Sequence, residues 1–370
     1  MTWPRVGVAW GLAPKGGTAK TVIRAGAGLF YDRVSESLSL DALRRDGVHQ
    51  QQFVVETPDF YPVVPSLDQL VSNRAPQAIR VMDAAIRAPY MAQVGIGAER
   101  QLPKGLVVAV NYLHSQGWHS LRSRALAPAG NAGAVYLYES SGIFLQHQLV
   151  TTLTARVNAR ISFNGSYTLG KANSDTDGAG TFPASAYDLH PEYGRAGFDV
   201  RHRAQFSGSF ALRWGLRFSP MLTASSTRPF NITVGHDLNG DTVFTDRPAL
   251  ATDLSRPSVV RTAFGAFDLS PLPGQAILPR NYGVGPPLVS LNLRVAKTFK
   301  LGKEVKGKRD PMELTFTALS RNLLNHPNLA LPNGNLSSPY FGESTALVGG
   351  GGGNSAVGSR RIEFQCRLAF

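Results

Sequence analysis

The chain has 370 residues, 38 of them glycine and 24 proline, and only 17% are charged, below the roughly 25% usual in soluble domains. Its densest apolar run, Leu106–Val110, falls far short of the roughly 18 residues of a membrane helix, so strands closed into a barrel are the only way in which this chain crosses lipid. Its single cysteine, Cys366, excludes internal disulfides and thiolate metal clusters, and its net charge of +13 is scattered, with one cluster (Lys300, Lys303, Lys306, Lys308, Arg309) that lacks the interleaved aromatics of a nucleic-acid platform.

No basic segment followed by an apolar stretch opens the chain at Met1–Arg5, so no signal peptide is visible. Alternation of apolar and polar residues, the two-residue period of a half-buried strand, then recurs in chain order. Arg5–Leu12 aligns Val6, Val8, Trp10 and Leu12; after a short Pro-Lys-Gly-Gly turn, Thr21–Tyr31 aligns Ile23, Ala25, Ala27, Leu29 and Tyr31. The turn segment Lys15–Thr21 is similar to a phosphate loop of the KGGxGKT kind. Ala19 replaces its third glycine, however, and a strand follows where phosphate binding needs a helix N-terminus, so a hairpin turn is the better account.

Asp32–Pro89 reads as a long polar loop, with a short strand near Phe53–Thr57 and a helical turn near Leu67–Ser72. Tyr90–Gln101 and Leu106–Ser115 form a hairpin; Gln116–Gly142 is loop with an extended piece at Val135–Glu139. Phe144–Val157 and Arg160–Gly170 pair across Asn158-Ala159, and Lys171–Val200 is loop. Arg201–Trp214 and Leu216–Arg228 flank Gly215, with a stub at Phe230–Gly235. Leu288–Lys300 and Met312–Asn322 follow, then a glycine-rich segment whose Gly349–Gly353 lacks the Lys-Ser/Thr of a phosphate cradle. The last strand, Arg360–Phe370, sets Ile362, Phe364, Cys366, Leu368 and Phe370 on one face and Arg361, Glu363, Gln365, Arg367 and Ala369 on the other.

Short connections alternate strictly with long ones. That is the rhythm of outer-membrane barrels, with short periplasmic turns and long extracellular loops, and five long loops are improbable in one compact soluble domain. Trp10, Tyr31, Tyr90, Tyr112, Trp214, Phe299 and Phe370 fall near strand ends, where aromatic girdles form. The fold class read from this is all-β: a transmembrane antiparallel β-barrel, partial, with about eleven strands and long extracellular loops. Counting back from a last strand that descends to the periplasm, the first strand also descends. Bacterial single-chain barrels have even strand numbers, so the parity predicts further strands upstream and makes residues 1–370 the C-terminal part of a larger barrel, without plug or signal peptide.

Asp237-x-Asn239-x-Asp241, with Asp246 beyond and Gly240 for the tight turn, has the spaced oxygen ligands of a Ca²⁺ loop but lacks the bidentate Glu of an EF-hand; the alternative is a plain Asx-rich turn. The eight histidines show no H-E-x-x-H or comparable spacing, and no G-x-S-x-G elbow exists, so no enzyme is expected.

Pro4–Trp10, Val22–Asp32, Phe198–Arg203, Asp237–Asp241 running on to Asp246–Pro248, Asn322–Asn328 and the last strand, in that order, together resemble the barrel region of TonB-dependent outer-membrane transporters of the Oar-like group. The resemblance implies a barrel of about 22 strands, an outer-membrane location, ligand uptake driven by the TonB complex through an N-terminal region, and insertion by the barrel-assembly machinery through a signal formed by Phe364, Leu368 and Phe370. Arg24, Arg294, Arg361 and Arg367 are expected to face the lumen and to favour anionic or peptide-like ligands. The other readings are a surface-exposed β-rich adhesion module and a passive porin.

Overall fold

The computed structural model describes residues 4–13, 19–50, 53, 55, 58–60, 62–71, 78–126, 134–302, 312–348 and 358–369. Eleven strands, each antiparallel to the next, follow one another in chain order across a single sheet. They are β1 (Arg5–Leu12), β2 (Thr21–Tyr31), β3 (Tyr90–Leu102), β4 (Leu106–Leu126), β5 (Val135–Arg156), β6 (Ile161–Ser174), β7 (His202–Ala211), β8 (Leu216–Ser225), β9 (Leu288–Leu301), β10 (Met312–Arg321) and β11 (Arg361–Ala369). The sheet is not closed: β1 and β11 are its two edges.

The register carries one polar face through the whole sheet. Arg24 lies opposite Gly97, Gly97 opposite Asn111 and Glu99 opposite Ala109. Asn164 faces Ser207, Ser219 faces Arg294, and Thr317 faces Gln365. On the other face Val8 meets Ala25, Ile96 meets Tyr112, Leu149 meets Leu169, and Phe316 meets Cys366. This second face is bare: Val6 is 71% exposed, Phe364 82% and Leu368 48%. A soluble sheet would bury such a face against a second layer; here nothing but lipid suits it. No helix among the described residues is long and apolar enough to cross a membrane.

The aromatic side chains end this apolar band. Where the long loops begin, Tyr90 lies 5.4 Å from Tyr31 and 5.3 Å from Trp118, ring to ring; Tyr112, expected near a strand end, stands mid-strand opposite Ile96, as Tyr167 does opposite Ala204, and their hydroxyls bond the His147 and His202 rings at 2.7 and 2.8 Å. At the short-turn end, Trp214 is exposed and Phe299 meets Phe316 edge-on. The turn at Trp214-Gly215 puts both residues at positive φ, +62° and +73°, and a Cβ on Gly215 would sit 2.6 Å from the Thr298 carbonyl oxygen.

Several elements differ from the sequence expectation. β4 and β5, at 21 and 22 residues, are about twice the length that spans a bilayer. They continue past the girdle and absorb the piece predicted at Val135–Glu139, crossing register shifts around Ser120. A helix at Glu36–Arg44 occupies part of the first long loop, where none is expected; the helical turn near Leu67 is present as Leu67–Leu70. The stub beyond β8 is only Pro229–Phe230, which pairs with Gly283–Val284 and does not prolong the hairpin. Most of the short strand expected at Phe53–Thr57, the Lys15–Thr18 stretch, Gly349–Gly353 and Phe370 lie outside the described residues.

The described parts of the long loops form a crown at one end of the sheet, and the hydrophobic core is there. Phe230, Ile232, Phe267 and Leu278 are buried together, with Phe264, Leu336 and Phe341 packed against them. A small sheet of Ala249–Leu250, Gly265–Asp268 and Val259–Thr262 stiffens it.

Candidate functional site

Two polar regions carry the candidate residues: the polar face of the sheet and the loop crown. Arg24, Arg294, Arg361 and Arg367 all lie on the polar face by register. They are not brought together, since Arg24 sits near the β1 edge and the other three near the β11 edge. Arg24 pairs with Glu99 at 3.0 Å, and Arg361 with Glu363 at 3.0 Å, while Arg321 reaches the same carboxylate at 3.6 Å. Arg294 instead lines an open hollow of about 630 Å³ with Arg217, Lys300, Thr298, Thr315 and Glu313, where cations outnumber the carboxylate. Phe364 and Leu368 point to the opposite, exposed face.

In the crown, ion pairs brace the loops internally, to one another and to the projecting ends of β4 and β5. Arg247 and Glu192 pair at 2.6 Å, both almost wholly buried. Asp199 accepts the Ala172 amide at 2.9 Å and pairs with Arg195 at 2.9 Å. Arg122 lies 2.5 Å from Asp175, and Arg124 is 2.7 Å from Glu139. Arg256 pairs with Asp268. Arg280 donates to the Ser174 carbonyl at 2.9 Å and lies 3.4 Å from Asp177. Burial pushes the Arg280 guanidinium below its usual range, against the pull of Asp177, Glu192 and Asp175. Much of the motif content singled out in the sequence is spent here. Asp199 and Arg247 are these anchors, and Asn322, at φ +46°, donates its side-chain amide to the His326 carbonyl at 2.8 Å.

The Asp237 loop is drawn inward onto its own backbone. One Asp237 carboxylate oxygen accepts the Gly240 and Asp241 amides at 2.7 and 3.2 Å, and the other accepts Thr242 at 2.8 Å. Asn239 accepts the Asp241 amide, Asp241 the Val243 amide, and Asp246 the Leu238 amide, each at 2.8 to 2.9 Å. Burial raises Asp237, yet its backbone amides together hold it below the usual carboxylate range. Burial raises Asp241 and Asp246, helped by the neighbouring carboxylates. Among the described residues no group of three His, Cys, Asp or Glu side chains is placed to hold a metal ion. The chemistry available in both regions is binding through guanidinium, carboxylate and amide groups.

The family model "outer membrane beta barrel domain" matches residues 2–363. The chain belongs to the outer-membrane β-barrel family. Its location is therefore the outer membrane. No curated protein sequence matches it. Among solved structures, the outer-membrane transporter YddB from Escherichia coli is similar at TM-score 0.51 and 9% identity over 94% of this chain. The FrpB iron transporter from Neisseria meningitidis gives 0.47 and 10% over 98%, and the siderophore receptor PirA from Pseudomonas aeruginosa 0.43 and 8% over 88%. The barrel chain spans 38% of YddB, 38% of FrpB and 39% of PirA. At these identities the likeness to YddB is one of fold.

Proposed function

We propose that this family member is wall and crown of an outer-membrane transporter or receptor, which captures ligand in its long loops and passes it along the polar face of the full-length protein. The observation that carries the reading is the division of the sheet: an apolar face bare to lipid, a polar face continuous over eleven strands, and, among the described residues, a folded crown at the long-loop end. Uptake energised by the TonB complex, assembly through the Phe364, Leu368 and Phe370 strand, and lumen-facing roles for Arg24, Arg294, Arg361 and Arg367 are parts of the same proposal. Ca²⁺ held by Asp237, Asn239, Asp241 and Asp246 belongs to it only with those side chains turned away from the backbone amides they accept here, since in this geometry no three carboxylates converge on a cation.

The test is made on the full-length protein in cells. Recovery in outer membranes, heat-modifiable gel migration and solute uptake that stops when the inner-membrane gradient is collapsed support the reading. Gradient-independent flux of any small solute would make it a porin, and surface display without flux an adhesion module.

A further inference from the structure

The outward face of the sheet is not uniformly apolar, and its cations are unevenly placed. From the short turns up to the aromatic rows at Tyr31, Tyr90 and Trp118, no outward position on the eleven strands holds Asp or Glu. His114, His147 and Lys171 stand there side by side in register on β4, β5 and β6, and His202 on β7 lies opposite Leu169, two positions from Lys171. The Tyr112 and Tyr167 hydroxyls hold Nδ1 of His147 and of His202, and the His114 and His147 rings lie 4.8 Å apart. With the tyrosines donating, the proton of His147 and of His202 sits on the outer nitrogen, Nε2. Lys171 is exposed and pairs with no carboxylate among the described residues.

Height decides what these groups meet. His114 is eight residues past Leu106, His147 nine before Arg156, Lys171 ten past Ile161 and His202 nine before Ala211. At a rise of about 3.4 Å per residue and a tilt of about 45°, all four lie roughly 20–24 Å above the short turns. That is the outer rim of an apolar band about 25 Å tall. A cation deep in such a band is costly, and one at its rim is not. The protein offers this belt no carboxylate, so its counter-charge comes from the lipid head groups at that level. Phosphate is the head-group anion that imidazole N–H and ammonium groups both bond.

We propose that His114, His147, Lys171 and His202 form a phosphate-binding belt on the lipid side of the wall, occupied by the phosphorylated head group of an outer-leaflet lipid. Its donors are Nε2–H of His147 and His202 and the Lys171 ammonium, with His114 beside them. The belt rests on the outer-membrane location and not on transport. A transporter that fails to bind the lipid would overturn this inference alone.

The experiment is native mass spectrometry of the protein extracted from outer membranes in non-ionic detergent and titrated with diphosphorylated lipid A. Enzymatically dephosphorylated lipid A and inorganic phosphate are the two comparison probes. The phosphorylated lipid is expected to bind saturably, and the dephosphorylated one at least tenfold more weakly. Lys171→Gln, at an exposed position, should weaken lipid A about fivefold with the melting temperature unchanged. Adding His147→Gln should take the loss beyond tenfold, and if that double variant does not fold, Lys171→Gln alone decides. Arg100→Gln, on the same face but two residues from the short turn after Leu102, should change nothing. Equal binding of dephosphorylated lipid, indifference to Lys171→Gln, or an equal loss with Arg100→Gln would overturn the proposal. Inorganic phosphate binding as tightly as lipid A, or dimers forming in place of the lipid complex, would overturn it too, making the belt a free-anion site or a contact between copies.

Discussion

Arg247 and Glu192 show what a buried charge costs once it loses its partner. Both are about 3% exposed, and the guanidinium also donates to the Pro191 carbonyl. Arg247→Ala strands Glu192 and should destabilise the crown by about 3–5 kcal/mol, whereas the double change Arg247→Met with Glu192→Gln should recover most of that; denaturant midpoints of the folded protein measure both. The Asp237 loop gives a signed pH prediction. Its carboxyl lies below 3.8 in the folded chain, so its contribution is complete above that value and lost as pH falls through the folded value. Asp241 and Asp246 are raised, so theirs has the opposite sign: it is present at low pH and lost as pH rises through their folded values. Acidification from pH 7 should first tighten the loop and then, below about pH 4, release it. Hydrogen exchange at the Gly240, Asp241 and Thr242 amides reads this, and a monotonic response would refute the assignment.

A strand's two faces meet different solvents, and neighbouring positions on β11 make the contrast sharp. Phe364, opposite Ala318, lies on the bare face, and Gln365, opposite Thr317, lies on the polar one. Arginine at the lipid face near the middle of a barrel costs about 2–4 kcal/mol. Phe364→Arg should cost that much in folding into lipid vesicles, and Gln365→Arg close to nothing; equal penalties would deny that the two faces see different media. The turn before β8 is the second element-scale case. Gly215→Val places a branched side chain at φ +73° against the Thr298 carbonyl and should slow or abolish assembly, read as the loss of heat-modifiable product.

For the whole molecule, the direction of the edges is decisive. β1 and β11 are separated by ten antiparallel steps, an even number, so they run the same way and cannot close on each other with antiparallel pairing. Any antiparallel closure takes an odd number of further strands, which agrees with even-stranded barrels. The 370-residue chain in detergent should therefore lack the heat-modifiable gel shift of a closed barrel. A shift in the isolated chain would mean that its edges close in some other way.

The wall was legible from residues because lipid on one side and water on the other impose a two-residue alternation on every strand. Val6-x-Val8-x-Trp10 and Ile362-x-Phe364-x-Cys366-x-Leu368 carry that alternation without help from distant parts of the chain. Turn chemistry at Gly215 and the alternation of short and long connections determined the order and direction of strands in the same local way. The crown was not legible. Arg122, Arg280, Glu192 and Asp175 show no spacing in sequence, because their partners come from loops as far as 106 residues apart, as Arg280 and Ser174 do. Even Phe198–Arg203 and Asp246–Pro248, conspicuous as motifs, did not disclose that Asp199 and Arg247 are buried anchors. Local periodicity is fixed by the medium each face meets, whereas the meeting of charges across loops exists only once the strands have brought the loop ends together.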